Sequence, residues 1–178
     1  MILLLLSLFF GFVNGATAPD KASRYSLPIL RQEYLQASQD EKAAAYFYNK
    51  MADYNERHPV VIAYKGAAEA VMAKHSWSPY KKLKHIKSAA DLFEEAVALD
   101  KTSTEIRFLR FIVEFYTPRY LNLSEHLQED KRLIIEGLKR HPRSGLPSDL
   151  ARTIKDFMLS KDHCTSAEKQ VLRSIAVN

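Results

Sequence analysis

Val60-Val61-Ile62-Ala63-Tyr64-Lys65-Gly66-Ala67-Ala68-Glu69-Ala70-Val71-Met72-Ala73 carries two charged side chains in fourteen residues, Lys65 and Glu69, four positions apart. Wound as a helix, the segment is apolar on nearly every side, and a helix with so little polar surface belongs between neighbours. Farther along, Glu105-Ile106-Arg107-Phe108-Leu109-Arg110-Phe111-Ile112-Val113-Glu114-Phe115 has the same character. Between the two lies Ala89-Ala90-Asp91-Leu92-Phe93-Glu94-Glu95-Ala96-Val97-Ala98-Leu99-Asp100, a third helical run. The segments flanking the two apolar rods are then their expected packing partners.

Composition agrees with a helical protein. A chain of 178 residues suits one domain with a core of its own. Five Gly and seven Pro among many Ala, Leu, Glu and Lys favour helix, and no stretch alternates with the period of two that a strand requires. Lys and Arg exceed Asp and Glu by 26 to 21, a formal charge of +5. Both signs are mixed along the chain, without the basic run that nucleic acid or anionic lipid selects, so no nucleic-acid partner is expected. The single cysteine, Cys164, excludes an internal disulfide framework and reads as a small buried side chain. His163 beside it does not by itself make a nucleophile's base.

Residues 1–15 hold no charged side chain and are followed by Ala16-Thr17-Ala18. An apolar run of about 12 residues is short for a membrane span and suits the core of a secretory signal. Cleavage is expected after Gly15, with Val13 and Gly15 at the small-residue positions, or after Ala18. No Lys or Arg precedes the run, which departs from the usual signal pattern. The expectation is a signal peptide over 1–18, one helical domain over 19–178, and an exported protein, periplasmic or secreted. Membrane attachment is expected only if the segment stays uncleaved.

In the helical region Tyr25, Leu27, Leu30, Tyr34 and Leu35 fall at helical spacing, predicting a first helix. Ser38-Gln39-Asp40-Glu41 has the form of a capping box opening a second. Pro59 suits the first position of a third. Gly66 in its middle costs about 1 kcal/mol relative to Ala, which predicts close approach by a neighbouring helix. Tyr80 to Leu99 is the fourth; a Thr102-Ser103-Thr104 cap opens the fifth, which Thr117-Pro118 stops. Ser124 is the expected cap of the sixth, and two shorter helices follow, Ser148 to Leu159 and Ser166 to Ala176. Eight helices joined by short polar breaks predict an all-α protein of antiparallel helical hairpins.

Ala89-x3-Phe93-x2-Ala96 followed by Leu99-Asp100 resembles the second helix of a tetratricopeptide repeat, with Gly66 standing where that family has its Gly. The spacing from Gly66 to Ala89 exceeds a consensus repeat by about eleven residues, which predicts an insertion over His75 to Lys84. Phe108-x2-Phe111-Ile112-x2-Phe115 resembles a first helix, and Asp130-x3-Ile134-x2-Gly137-x4-Pro142 a second that ends on the family's Pro. The chain also resembles a small family of exported bacterial proteins, which brings no function with it. The repeat resemblance covers about half the chain. It implies stacked hairpins whose first helices line a concave surface that grips a peptide or protein.

The charges on the two rods are the leading site candidates. Lys65 and Glu69, and Arg110 and Glu114, are four apart; Arg107 and Arg110 are three apart, so each set shares a face. They either pair across a helix interface, Glu69 with Arg107 or Arg110, or face a groove and hold a carboxylate or phosphate. Buried charges need partners whatever the function, so pairing is the first expectation; if a groove is present, Arg107 and Arg110 lead as its ligand contacts. Trp77 and Tyr80 in the inserted stretch are candidates to touch a partner, although such a Trp more often covers a helix end. The adjacent carboxylates Glu94-Glu95 and Glu129-Asp130 read as facing solvent. Six histidines show no metal-ligand spacing, and there is no phosphate loop or nucleophile elbow, so no cofactor or metal is expected. The expected function is non-enzymatic binding of a protein or peptide. The alternatives are a small-ligand site or envelope enzyme built on the Arg107, Arg110, Glu69 and Glu114 cluster, and a membrane-tethered scaffold.

Overall fold

The computed structural model describes residues 24–177, and the expected leader over 1–18 lies outside them. Eight α-helices lie wholly within the described residues, in order: α1 (Leu27–Ala37), α2 (Glu41–Ala52), α3 (Pro59–His75), α4 (Pro79–Leu99), α5 (Thr104–Tyr116), α6 (Leu127–Lys139), α7 (Ser148–Leu159) and α8 (Ser166–Ser174). A 3-10 turn, Arg119–Leu121, lies between α5 and α6. No strand occurs among the described residues, and the all-α expectation holds.

The ends of the helices follow local chemistry, with two departures from expectation. Asp40 caps α2 by accepting from Ala43 N at 2.8 Å, while Ser38 closes α1 by donating to Leu35 O at 2.7 Å. No Ser38 capping box forms, because the acidic side chain nearer the helix takes the role. Ser124 likewise does not cap α6: its hydroxyl donates to Glu114 O at 3.0 Å, and His126 occupies the cap position without its side chain bonding to the helix's free N–H groups. Ser78 and Ser103 do cap, accepting from Lys81 N and Ile106 N. The expected insertion after His75 is not a loop. Three residues join α3 to α4, and residues 79–84 form the first turns of the 21-residue α4.

α3 lies at the centre. It packs most extensively on α4 and also meets α2, α5 and α1, so Val61, Ile62, Ala63, Tyr64, Ala67 and Ala68 are all buried although they point to different sides. Gly66 is a point of close approach to α4: a methyl there would stand 3.3 Å from both Ala89 O and Leu92 Cβ. α5 is the other central rod and separates two hydrophobic cores. Ile106 and Leu109 join α1 to α4 in the first, and Phe108 and Phe111 join α6, α7 and α8 in the second. Both rods are therefore enclosed along their N-terminal halves, as their sequences require, while their C-terminal residues are only partly covered.

Cys164 is buried in the second core. Burial, and then the nearby Glu168 carboxylate, push its thiol up to about 11 against the pull of Lys131 and Lys169. The thiolate is the reactive form, so iodoacetamide at pH 8 is expected to alkylate native protein at least about 100-fold more slowly than urea-unfolded protein, whose thiol has the ordinary pKa near 8.5. Comparable rates in the two states, followed by mass spectrometry, would mean that the site opens freely.

Candidate functional site

Arg107 and Arg110 project from one face of α5 onto Asp130 of α6. Arg110 donates through Nε to Asp130 Oδ2 at 2.7 Å and through Nη2 to Oδ1 at 2.8 Å. Arg107 Nη1 adds a third bond to Oδ1 at 2.9 Å. Glu94 of α4 takes Arg110 Nη1 at 2.7 Å, Lys101 O takes Arg107 Nη2 at 3.2 Å, and Glu129 lies 3.4 Å from Arg107 Nη1. Asp130 is 0% and Arg110 2% exposed. Burial pulls the Arg110 guanidinium down, but Asp130's hydrogen bonds and charge, then Glu94 and Glu114, hold it above its ordinary value.

Three expectations are corrected here. Asp130 does not face solvent: with Ile134 and Leu138 it lies on the inward stripe of α6, the spacing that places it opposite α5. Glu69 pairs with neither arginine; its carboxylate meets His85 Nδ1 on α4 at 2.6 Å. Arg107 and Arg110 are not open ligand contacts, because both guanidiniums are buried and held by protein carboxylates. Lys65 also stands apart from them, its ammonium donating to Tyr54 O at 2.8 Å at the start of α3. A second buried set went unnoticed in the sequence. Arg31 grips Glu105 through two bonds of 2.9 and 2.7 Å, and Tyr64 donates to the same carboxylate at 2.8 Å, tying α1, α3 and α5 together.

Glu114, at the far end of α5, accepts from His126 N at 2.9 Å and meets His126 Nδ1 at 2.7 Å. Burial raises the pKa of its carboxyl despite His126 and Arg110. His126 Nε2 lies 3.5 Å from Glu94 Oε1. These groups edge a small cleft of about 370 Å³, together with Asp91 and Glu125.

A larger concavity of about 1010 Å³ adjoins it, the two sharing Ile86, Val113 and Thr117. It forms because α3 packs on both α4 and α5 while those two touch each other far less. α3 is the floor, kept low by Ala70 and Ala73; Leu83 and Ile86 form one wall, and Ile112, Val113 and Tyr116 the other. Tyr34 and Ser38 close the α1 end and Pro118, Tyr120 and Leu121 the opposite one. Trp77 stands on the rim, 94% exposed, and so does not cover a helix end. Tyr80 on the first turn of α4 is 78% exposed and Tyr120 82% exposed. Among the described residues Lys74 and Lys82 are the charged side chains lining the trough, and no carboxylate lines it.

The concavity is lined by the apolar C-terminal halves of α3 and α5, with α4 as a third side. Of the sequence candidates, Trp77 borders it, Arg110 and Glu114 border the smaller cleft, and Lys65, Glu69, Arg107 and Tyr80 line neither. Among the described residues no group of three or more His, Cys, Asp or Glu could hold a metal ion, and no helix is long and apolar enough to cross a membrane. Comparison with known proteins gives no matching family model, no matching curated protein and no matching solved structure.

Proposed function

We propose that the chain is an exported, non-enzymatic helical module that binds a segment of a protein or peptide in the trough between α3, α4 and α5. The observation that carries this reading is the trough itself. An apolar concavity rimmed by exposed Trp77, Tyr116 and Tyr120 has the makeup of a protein-binding hot spot, where aromatic anchors dominate the affinity. Its volume is at the upper limit of small-molecule sites, roughly 300–1,000 Å³, and suits several side chains in a row. The hairpins α3/α4 and α5/α6 support the same reading through their resemblance to tetratricopeptide units, which grip extended peptides on their first helices.

A photo-crosslinking residue at Leu83 or Ile112 is expected to capture the same partner in cells. The Trp77→Ala/Tyr116→Ala variant should weaken that partner's binding at least about 30-fold, the scale of a hot spot worth 2 kcal/mol. Undiminished capture by a folded double variant would overturn the assignment. A second reading, a small-ligand site or envelope enzyme, has behind it the cleft beside Glu114 and His126. It ranks lower because Arg110, the strongest cation there, is already engaged by Asp130 and Glu94.

A further inference from the structure

α4 is charged in two blocks. From Ala70 to Ala90 the chain has five lysines, at 74, 81, 82, 84 and 87, and no Asp or Glu; from Asp91 to Glu95 it has three carboxylates and no cation. The mixing of signs along the whole chain conceals this segregation. Lys81, Lys82, Lys84 and Lys87 are exposed and have no ion-pair partner among the described residues. Lys82 stands in the apolar trough, and Asp91 stands in the adjoining cleft with Glu125. Ile86, Val113 and Thr117 make the two concavities continuous, so one surface runs from a cationic end, across apolar ground, to an anionic end.

Resting on the proposed reading, we infer that the occupant is a peptide segment of a partner protein with an apolar, aromatic-rich middle, a carboxylate at one end and a Lys or Arg at the other. The carboxylate meets Lys82 and its neighbours. The cation enters the cleft of Asp91 and Glu125, where Arg110 is already neutralised by Asp130 and Glu94. From Lys82 to Asp91 the helix rises about 13.5 Å, and the two side chains leave it half a turn apart across a body about 10 Å wide, so they stand about 17 Å apart, which an extended strand covers in about five steps of roughly 3.3 Å. The spacing selects an acidic residue and a basic residue separated by about four apolar ones. Charge at the two ends sets the register of the segment, and the apolar middle supplies the affinity.

The test is fluorescence anisotropy with four labelled peptides sharing the middle Leu-Tyr-Leu-Phe. Their ends are Glu-Glu before and Lys-Lys after, the reverse order, Glu-Glu at both ends, and Lys-Lys at both ends. One of the two bipolar peptides is expected to bind about tenfold or more tightly than either like-ended one. Lys81→Glu/Lys82→Glu is expected to invert the preference towards the peptide with two basic ends, with the helical circular dichroism unchanged. Equal binding of all four peptides, lost in Trp77→Ala, would overturn the charge selection and leave the trough as a binding site. Binding of none would overturn both. Two further results would also overturn it: preferential sedimentation with phosphatidylglycerol vesicles, abolished by the same lysine changes, which would make the occupant a membrane surface; and a dimer in analytical ultracentrifugation that dissociates in the lysine variant, which would make it a second copy of the chain.

Discussion

Asp130→Ala is expected to remove about 3–5 kcal/mol of stability, the usual cost of stranding a buried charge by deleting its partner. The carboxylate accepts three bonds from two arginines, and its loss leaves Arg107 and Arg110 facing each other within the protein. For a domain of this size each kcal/mol moves the melting temperature by about 2–4 °C, so the variant should melt about 6–20 °C below the parent. Glu94→Gln provides the contrast. Glu94 also touches Arg110, at 2.7 Å, but its side chain is 56% exposed, so solvent screens the pair and its loss should cost under about 1 kcal/mol. Differential scanning calorimetry separates the two, and an Asp130→Ala protein melting within about 2 °C of the parent, less than 1 kcal/mol by the same scale, would refute the role assigned to this carboxylate.

Gly137→Ala should destabilise by about 2 kcal/mol, although Ala favours a helix by about 1 kcal/mol over Gly. Overpacking, typically about 1–3 kcal/mol and occasionally more, wins because of what the methyl meets. It would stand 2.8 Å from Thr104 Cγ2 and 2.9 Å from Thr104 Cβ, with Thr104 Oγ1 nearer than either. Rotation about χ1 moves Oγ1 and Cγ2 but not Cβ, so α5 and α6 must separate, and the Asp130 bonds lie on the same interface. Thr104→Ala in the same chain removes part of the obstruction and should recover part of the loss, a coupling that a double-mutant cycle reads directly. Additive effects of the two substitutions would show that the two helices do not meet as described.

Enclosed rods are legible because a helix such as α3, with Val61, Ile62, Ala63 and Tyr64 in succession, has no flank suited to water. Asp130 misleads: its spacing to Ile134 and Leu138 points inward, but as one of two adjacent carboxylates with Glu129 it reads as facing solvent, and it is buried. Partner choice was not legible. Glu69 found His85 rather than an arginine because α4, not α5, lies against that side of α3. The trough was hidden for the same reason: it is a space left where α4 and α5 diverge over small residues of α3, and no single segment encodes it. Trp77 could be seen as an aromatic between helices, yet its exposure depends on α4 beginning only two residues later.

A helix that serves two cores makes the chain indivisible. Ile106 and Leu109 belong to one half, Phe108 and Phe111 to the other, and α5 cannot be allotted to either without baring the side meant for its neighbour. Excision, grafting or recombination within this molecule must therefore carry the whole span from α1 to α8.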